Sequence, residues 1–184
     1  LPFFPTLYRA AIDALAPLPA RVLVTIGRGS DPEELGPRPP NVRVERWVPQ
    51  DAVAPHAAAI VCHGGYGSTL GALSHGVPLV VLPLFSADQW ANAGAVAGVG
   101  AGVALDGERR TRRVLGLPSA ETLGGLAGAV LSVLCDAAYR RAAARVADAI
   151  RALPPIDHAV DVLARLPASS RVSAGRAPRG SAGG

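Results

Sequence analysis

His63-Gly64-Gly65-Tyr66-Gly67-Ser68-Thr69 is the stretch on which the fold prediction depends, because it joins an apolar run to a helical pattern. Residues 59–62 before it are typical of a buried strand, and Leu70 and Leu73 after it fit one face of a helix. Its glycines lack Cβ atoms, and a helix start offers free N–H groups and a partial positive charge, which suit a diphosphate. The segment therefore predicts a strand, a phosphate-binding turn and a helix. A plain tight turn with a helix cap is the alternative, because glycine-rich turns are common.

Runs of apolar or alternating residues on either side predict four further strands, at residues 22–26, 42–48, 77–82 and 100–105. Strands that alternate with helices indicate an α/β fold, with a Rossmann-like parallel sheet of about five or six strands and helices on both faces. Ligands of such sheets bind beyond the carboxyl ends of the strands. We therefore expect four loops to converge on one edge of the sheet, at residues 27–31, 47–51, 63–69 and 83–89.

Two of these loops carry side chains suited to a nucleotide sugar. Trp47 ends the second predicted strand, where its ring can stack on a nucleobase, although a core tryptophan is the alternative. Asp88 and Gln89 follow the fourth strand and can exchange hydrogen bonds with sugar hydroxyls, although aspartate is also a favoured helix cap.

The charge distribution argues against a nucleic-acid partner. The formal net charge is +4, and all 18 basic residues are arginines. Three of these arginines lie in residues 167–184, whose Ser, Gly, Ala and Pro content predicts a disordered tail, so the rest of the chain is nearly neutral. We interpret the other cluster, Arg109 to Arg113, as a solvated loop.

The cysteines, the lengths of the apolar runs and the metal-ligand patterns indicate where the protein is located and which partners it lacks. Cys62 and Cys135 lie in apolar stretches outside any CxxC or Cys/His pattern, so we expect buried free thiols in a cytoplasmic protein. No apolar run approaches the ~20 residues of a membrane span and no signal peptide is visible, so we expect no membrane partner. No DxD or histidine cluster has metal-ligand spacing, so we expect no metal and no cofactor.

Three motifs, each at the end of a predicted strand, resemble the donor-binding signature of family 1 glycosyltransferases, which have the GT-B fold. The resemblance is to bacterial natural-product enzymes of the macrolide type rather than to plant or animal ones. It extends more loosely over residues 21–166. The motifs are Trp47-x-Pro49-Gln50, His63-x-Gly65-x-x-Ser68, and Pro83 followed by Asp88-Gln89.

The resemblance implies that residues 1–166 are the C-terminal, donor-binding half of such an enzyme, with a UDP- or TDP-sugar as co-substrate. Transfer of the hexosyl group to a natural-product acceptor, as in antibiotic biosynthesis, would then need no metal, because donors at the turn stabilise the diphosphate leaving group. The implied ligands of the base and ribose are Trp47, Val48 and Gln50. Those of the diphosphate are Gly27, His63, Gly65, Gly67, Ser68 and Thr69, and those of the donor sugar are Asp88 and Gln89.

The chain starts at Leu1 and contains no Met, so we expect a fragment, a processed chain or an incomplete gene model. In the resembling family an N-terminal domain supplies the acceptor pocket and a histidine base. We therefore expect that domain to be absent here, and no catalytic residue in this chain. The plant pattern has Asn where Gly67 stands and an acidic ribose ligand where Gly71 stands, which weakens any preference between UDP and TDP.

Two alternatives stay open from the sequence. One is another sugar-nucleotide enzyme of the same fold, such as an epimerase or a lipid-linked N-acetylglucosaminyl transferase. The other is a non-catalytic nucleotide-sugar-binding fragment or partner subunit.

Overall fold

The structure, a computed structural model, describes residues 4–105 and 118–166. The predictions for the arginine cluster at 109–113 and for the tail at 167–184 lie outside these residues. The chain divides into two compact units, residues 1–152 and 153–184.

The first unit alternates strands and helices as predicted. Its strands are β1 (Val22–Thr25), β2 (Val42–Glu45), β3 (Ile60–Cys62), β4 (Leu79–Val81) and β5 (Gly102–Ala104). Its helices are α1 (Phe4–Leu15), α2 (Gln50–Val53), α3 (Tyr66–Ser74), α4 (Ala87–Gly98), α5 (Ala120–Gly124), α6 (Leu126–Cys135) and α7 (Ala137–Arg151). Short 3-10 helices occupy Pro32–Leu35 and Ala54–His56.

All described strand pairs are parallel, which confirms the predicted α/β class. β1 pairs with β2, and β4 lies between β3 and β5. The hydrogen bonds form two ladders rather than one continuous sheet over the described residues. Val22 of β1 and Ala59, which precedes β3, both pack against the cluster around Val80, so side-chain packing joins the two ladders.

Strand β4 is the centre of the core. Leu79, Val80 and Val81 are each 0% exposed, as expected of a strand covered on both faces. Leu79 and Val81 pack against residues of α3, α4 and α7, while Val80 packs against α1 and α6. The prediction of helices on both faces is therefore confirmed.

The strands are shorter than predicted, and this difference shapes the site. β1 ends at Thr25, and the chain turns away at Gly27, whose φ of +91° is accessible chiefly to glycine. β2 then loses its pairing partner and ends at Glu45. Trp47 and Val48, predicted to end the second strand, consequently lie in the loop beyond it.

The helical third of the chain follows the prediction in part. The helix predicted around Leu123 to Leu134 is divided at Gly125 into α5 and α6. Asp136 caps α7 as predicted, because its Oδ1 accepts a 2.8 Å hydrogen bond from the Ala138 amide. Both cysteines are free, but the prediction that both are buried is wrong, because Cys62 is only half-buried and Cys135 lies exposed at the end of α6.

The described part of the second unit contains helix α8 (Ile156–Arg165). Ile156, Val160 and Leu163 recur at helical spacing along it and are more than half exposed. In the described part of the chain no helix is by itself long and apolar enough to span a membrane. One pair of consecutive helical segments is long and apolar enough when the two are taken together, by length and composition only, although the pair is bent by 74°. The segments are Ala120–Cys135 and Ala137–Arg151.

Candidate functional site

Four loops meet at the carboxyl edge of the strands, as the parallel topology requires. The loop after β1 touches the loop after β2, which in turn bonds to the first turn of α3. The loop after β3 contacts both the loop after β4 and helix α4. The contacts are Arg28 with Trp47, Gln50 with Ser68, His63 with Phe85, and Asn92 with Gly64. Trp47 and His63 therefore belong to one edge, as predicted.

Trp47 stands at the mouth of this edge. Its side chain is 51% exposed, so the alternative of a core tryptophan is wrong. The Arg28 guanidinium lies over the ring, with Cζ 3.9 Å from the centroid. Arg28 therefore covers one face of the ring, and about half of the Trp47 surface remains accessible to solvent. Val48, the next residue, is only half-buried.

Gln50 links the second loop to helix α3. Its Nε2 donates a 3.1 Å hydrogen bond to the carbonyl of Ser68. A Cβ at Gly71 would lie 3.0 Å from the same nitrogen, so the Gln50 amide occupies the space that a side chain at 71 would use. With Nε2 engaged, Oε1 is the atom that can accept from a ligand.

The glycine turn is fixed by close packing. Gly64 has a φ of +86°, and a Cβ there would lie 2.8 Å from both the Gln89 carbonyl oxygen and Val81 Cγ1. Asn92 Nδ2 also donates a 2.7 Å hydrogen bond to the Gly64 carbonyl, a contact that the sequence did not predict. The backbone of the turn therefore packs directly against α4.

His63 is held by its neighbours on both sides. Its ring is stacked on Phe85, with centroids 6.2 Å apart and an angle of 17° between the planes. A Cβ at Gly65 would lie 2.5 Å from His63 Nε2, so glycine at 65 makes room for the imidazole. Phe85 is 39% exposed, and although it lies in the fourth predicted loop, no local pattern assigned it to the site.

Helix α3 begins directly after this turn without a side-chain cap. Gly65 is the N-cap residue and has no side chain to accept from the first N–H groups. The exposed residues Tyr66 and Gly67 and the half-buried Ser68 form the first turn. An uncapped helix start of this kind offers N–H donors and a partial positive charge to an anion.

The Thr69 hydroxyl is not brought to the open edge. Thr69 is 6% exposed, and its Oγ1 is buried without a regular hydrogen bond among the described residues, facing the Cys62 thiol. Burial raises the pKa of that thiol, partly offset by the Gly64 backbone and the Thr69 side chain. Of the predicted diphosphate residues, Thr69 is thus placed to support the turn from inside.

Asp88 and Gln89 point to different surroundings. Asp88 is exposed in the first turn of α4. Gln89 is only 3% exposed, and its Oε1 accepts hydrogen bonds of 2.8 and 3.1 Å from the amides of Leu84 and Phe85. The Gln89 side chain therefore stabilises the loop after β4. Of the two residues, only Asp88 has a side chain that is accessible to a ligand.

The described residues contain no group of three or more His, Cys, Asp or Glu side chains placed to hold a metal ion. The edge offers instead the Ser68 hydroxyl, the His63 imidazole, the uncapped start of α3 and the half-exposed Trp47 ring. This set of groups fits an anionic ligand that also carries an aromatic base.

Glycosyltransferases are among the known proteins that this chain resembles in sequence and fold. The family described as "Erythromycin biosynthesis protein CIII-like, C-terminal domain" matches residues 9–166. Elloramycin glycosyltransferase of Streptomyces olivaceus is 42% identical over 147 residues, which make up 80% of this chain and 33% of that protein. The crystal structure of the calicheamicin glycosyltransferase CalG4 superposes with a TM-score of 0.72 at 31% identity, over 87% of this chain and 39% of that one.

A structure solved with a nucleotide is also similar. Spinosyn rhamnosyltransferase SpnG complexed with thymidine diphosphate has a TM-score of 0.72 at 26% identity, over 88% of this chain and 40% of that one. The chain therefore belongs to the EryCIII-like C-terminal domains of family 1 glycosyltransferases, with the GT-B fold. It spans about a third of the length of the curated relatives it matches.

Proposed function

We propose that this chain binds a UDP- or TDP-sugar as the donor domain of a glycosyltransferase that transfers a hexosyl group to a small-molecule natural product. The observation that carries the proposal is the series of contacts joining all four loops at one edge. Three groups lie along that series. Trp47 would bind the base, the uncapped start of α3 the diphosphate, and the Asp88 carboxylate the sugar.

The base would stack on the open face of Trp47, beside Val48. Gln50 Oε1 would accept a hydrogen bond from the ribose. One uncharged acceptor matches the single free deoxyribose hydroxyl of a TDP-sugar better than the two ribose hydroxyls of a UDP-sugar, so we propose a preference for TDP. The complex of SpnG with thymidine diphosphate is consistent with this choice.

The diphosphate would lie over the Gly64–Gly65 turn, with the first N–H groups of α3, Ser68 and His63 as donors and Gly27 and Gly67 allowing close approach. Negative charge develops on the diphosphate as the sugar leaves. Preorganised donors stabilise such charge strongly because they need no rearrangement during the reaction. We therefore propose that these donors stabilise the leaving group without a metal or other cofactor.

The transferred sugar would contact Asp88, with Gln89 holding the loop beneath it. We place the acceptor pocket and the base that deprotonates the acceptor hydroxyl in an N-terminal domain outside this chain, because the match covers only 33% of the length of the elloramycin glycosyltransferase. The free thiols Cys62 and Cys135 support a reducing, cytoplasmic location, which is part of the proposal.

Calorimetric titration of the 184-residue chain with TDP-glucose and UDP-glucose tests the proposal. We expect saturable binding of both, tighter for TDP-glucose, and much weaker binding of glucose 1-phosphate, which has no base to stack on Trp47. A folded chain that binds neither donor would contradict the proposed function. Tighter binding of UDP-glucose would contradict only the proposed role of Gln50.

A further inference from the structure

Arg28 is placed by the backbone rather than by an ion pair. Gly27 turns the chain back at the end of β1, and Arg28 then reaches the Trp47 ring at 3.9 Å. Two other arginines near this edge have carboxylate partners, Arg43 with Glu45 and Arg46 with Asp31. Among the described residues no carboxylate pairs with Arg28, and the guanidinium lies on the indole instead.

A guanidinium over an indole constrains the ring. The flat cation is attracted to the electron-rich face, and the contact restricts rotation of an otherwise half-exposed side chain. A base that stacks on the other face then meets a ring already in position. Less ordering remains to be done on binding, which raises affinity without any contact between the arginine and the ligand.

We propose that Arg28 is a positioning residue for nucleotide recognition, which orients the Trp47 ring so that only its opposite face receives the base. This inference rests on the proposed function. Arg28 lies outside the three motifs. The inference also implies that Arg28 affects nucleotide binding only when Trp47 is present.

The first test is a double-mutant cycle on TDP affinity, with Arg28→Ala, Trp47→Ala and the double variant. In the wild-type background we expect Arg28→Ala to weaken binding about two- to fivefold, the range of an exposed cation–π contact. In the Trp47→Ala background the same change should have no further effect, because the ring it orients is gone. Arg28→Lys should weaken TDP binding almost as much as Arg28→Ala, because an ammonium keeps the charge but cannot stack flat on the indole.

The second test needs no ligand. In a Trp90→Phe background Trp47 is the sole tryptophan, so its fluorescence reports on that ring alone. We expect Arg28→Ala to lower the anisotropy of Trp47 and to increase its quenching by acrylamide. Arg46→Ala removes a charge from the neighbouring position and serves as the matched control, with both signals unchanged.

The outcomes separate the two proposals. Wild-type chain that binds no nucleotide would overturn the proposed function and this inference with it. Wild-type chain that binds, with equal losses from Arg28→Ala in both backgrounds, would overturn the inference alone, because the effect of Arg28 would then not depend on the Trp47 ring. Unchanged Trp47 fluorescence in Arg28→Ala would overturn it as well.

Discussion

At the scale of single residues, the His63 side chain is held between Phe85 and the backbone at Gly65. Phe85 lies along one side of its ring, and Gly65 leaves the space that its Nε2 occupies. A ring held in this way can donate to a ligand with little loss of conformational freedom. The orientation of the imidazole is therefore set in part by Phe85, which none of the motifs assigns to the ligand.

His63→Ala should weaken the binding of TDP more than that of thymidine, because the bond lost is to the charged group. The ratio of the two dissociation constants, measured by calorimetry, checks this. Phe85→Leu is the control, since it removes the stacked ring but keeps the imidazole, and its loss should be smaller. Equal losses for nucleoside and diphosphate in His63→Ala would place the histidine outside the phosphate site.

At the scale of elements, the loop between β4 and α4 depends on one buried amide. Gln89→Leu would leave the amides of Leu84 and Phe85 without their acceptor. We expect a loss of about 1–3 kcal/mol in the free energy of unfolding for each donor left buried and unpaired. Urea denaturation measures the loss, and Gln89→Glu, which keeps an acceptor oxygen, should lose less. An unchanged unfolding midpoint in Gln89→Leu would show that the loop has other support.

Helix α3 allows stability and binding to be separated. Gly71→Ala should gain up to about 1 kcal/mol of helix propensity, but the new Cβ would displace the Gln50 amide from Ser68. Gly94→Ala in α4 is the matched control, because no atom lies within 4 Å of its ideal Cβ. We expect Gly94→Ala to melt at higher temperature, Gly71→Ala to gain less because it loses the Gln50 hydrogen bond, and only Gly71→Ala to bind TDP more weakly. Equal affinity in the two variants would remove Gln50 from the ribose site.

The pattern of apolar residues was enough to place all five described strands, because short apolar or alternating runs that end at glycine, proline or polar residues are typical of strands. That pattern could not place the strand ends. Trp47 lies beyond β2 because Gly27 removes the pairing partner of that strand, and this depends on a torsion angle in another segment.

The motifs predicted which loops meet, but not which of their side chains face the ligand and which support the loops from inside. Gln89 and Thr69 carry polar groups suited to a ligand, yet burial directs them to the loop and the turn. Arg28, Phe85 and Asn92 act through contacts between distant segments, and nothing in their local sequence distinguishes them from surface residues. Only packing in three dimensions reveals such roles.

At the scale of the whole molecule, we expect this chain to bind the donor but not to transfer sugar efficiently. Attack on the anomeric carbon needs a base within hydrogen-bond reach of the acceptor hydroxyl, and the proposed site commits His63 to phosphate and Asp88 to sugar. Holding acceptor and donor together also supplies much of the rate.

The measurement is a transfer assay of residues 1–184 with TDP- and UDP-sugars and a panel of phenolic, macrolide and polyketide acceptors. Binding of donor in the same preparation is the control that the chain is folded. Multiple-turnover glycosylation of any acceptor by this chain alone would show that a base is present among its own residues.

Gly64 has a genetic consequence. Any change in the first two bases of a glycine codon gives a residue with a Cβ or a stop, and at this position that atom would meet the Gln89 backbone and Val81 at 2.8 Å. The left-handed φ adds a second penalty for every such substitution. No conservative missense allele exists here. A missense change at the first or second base of this codon would disrupt the turn while all the polar side chains assigned to the ligand remain encoded.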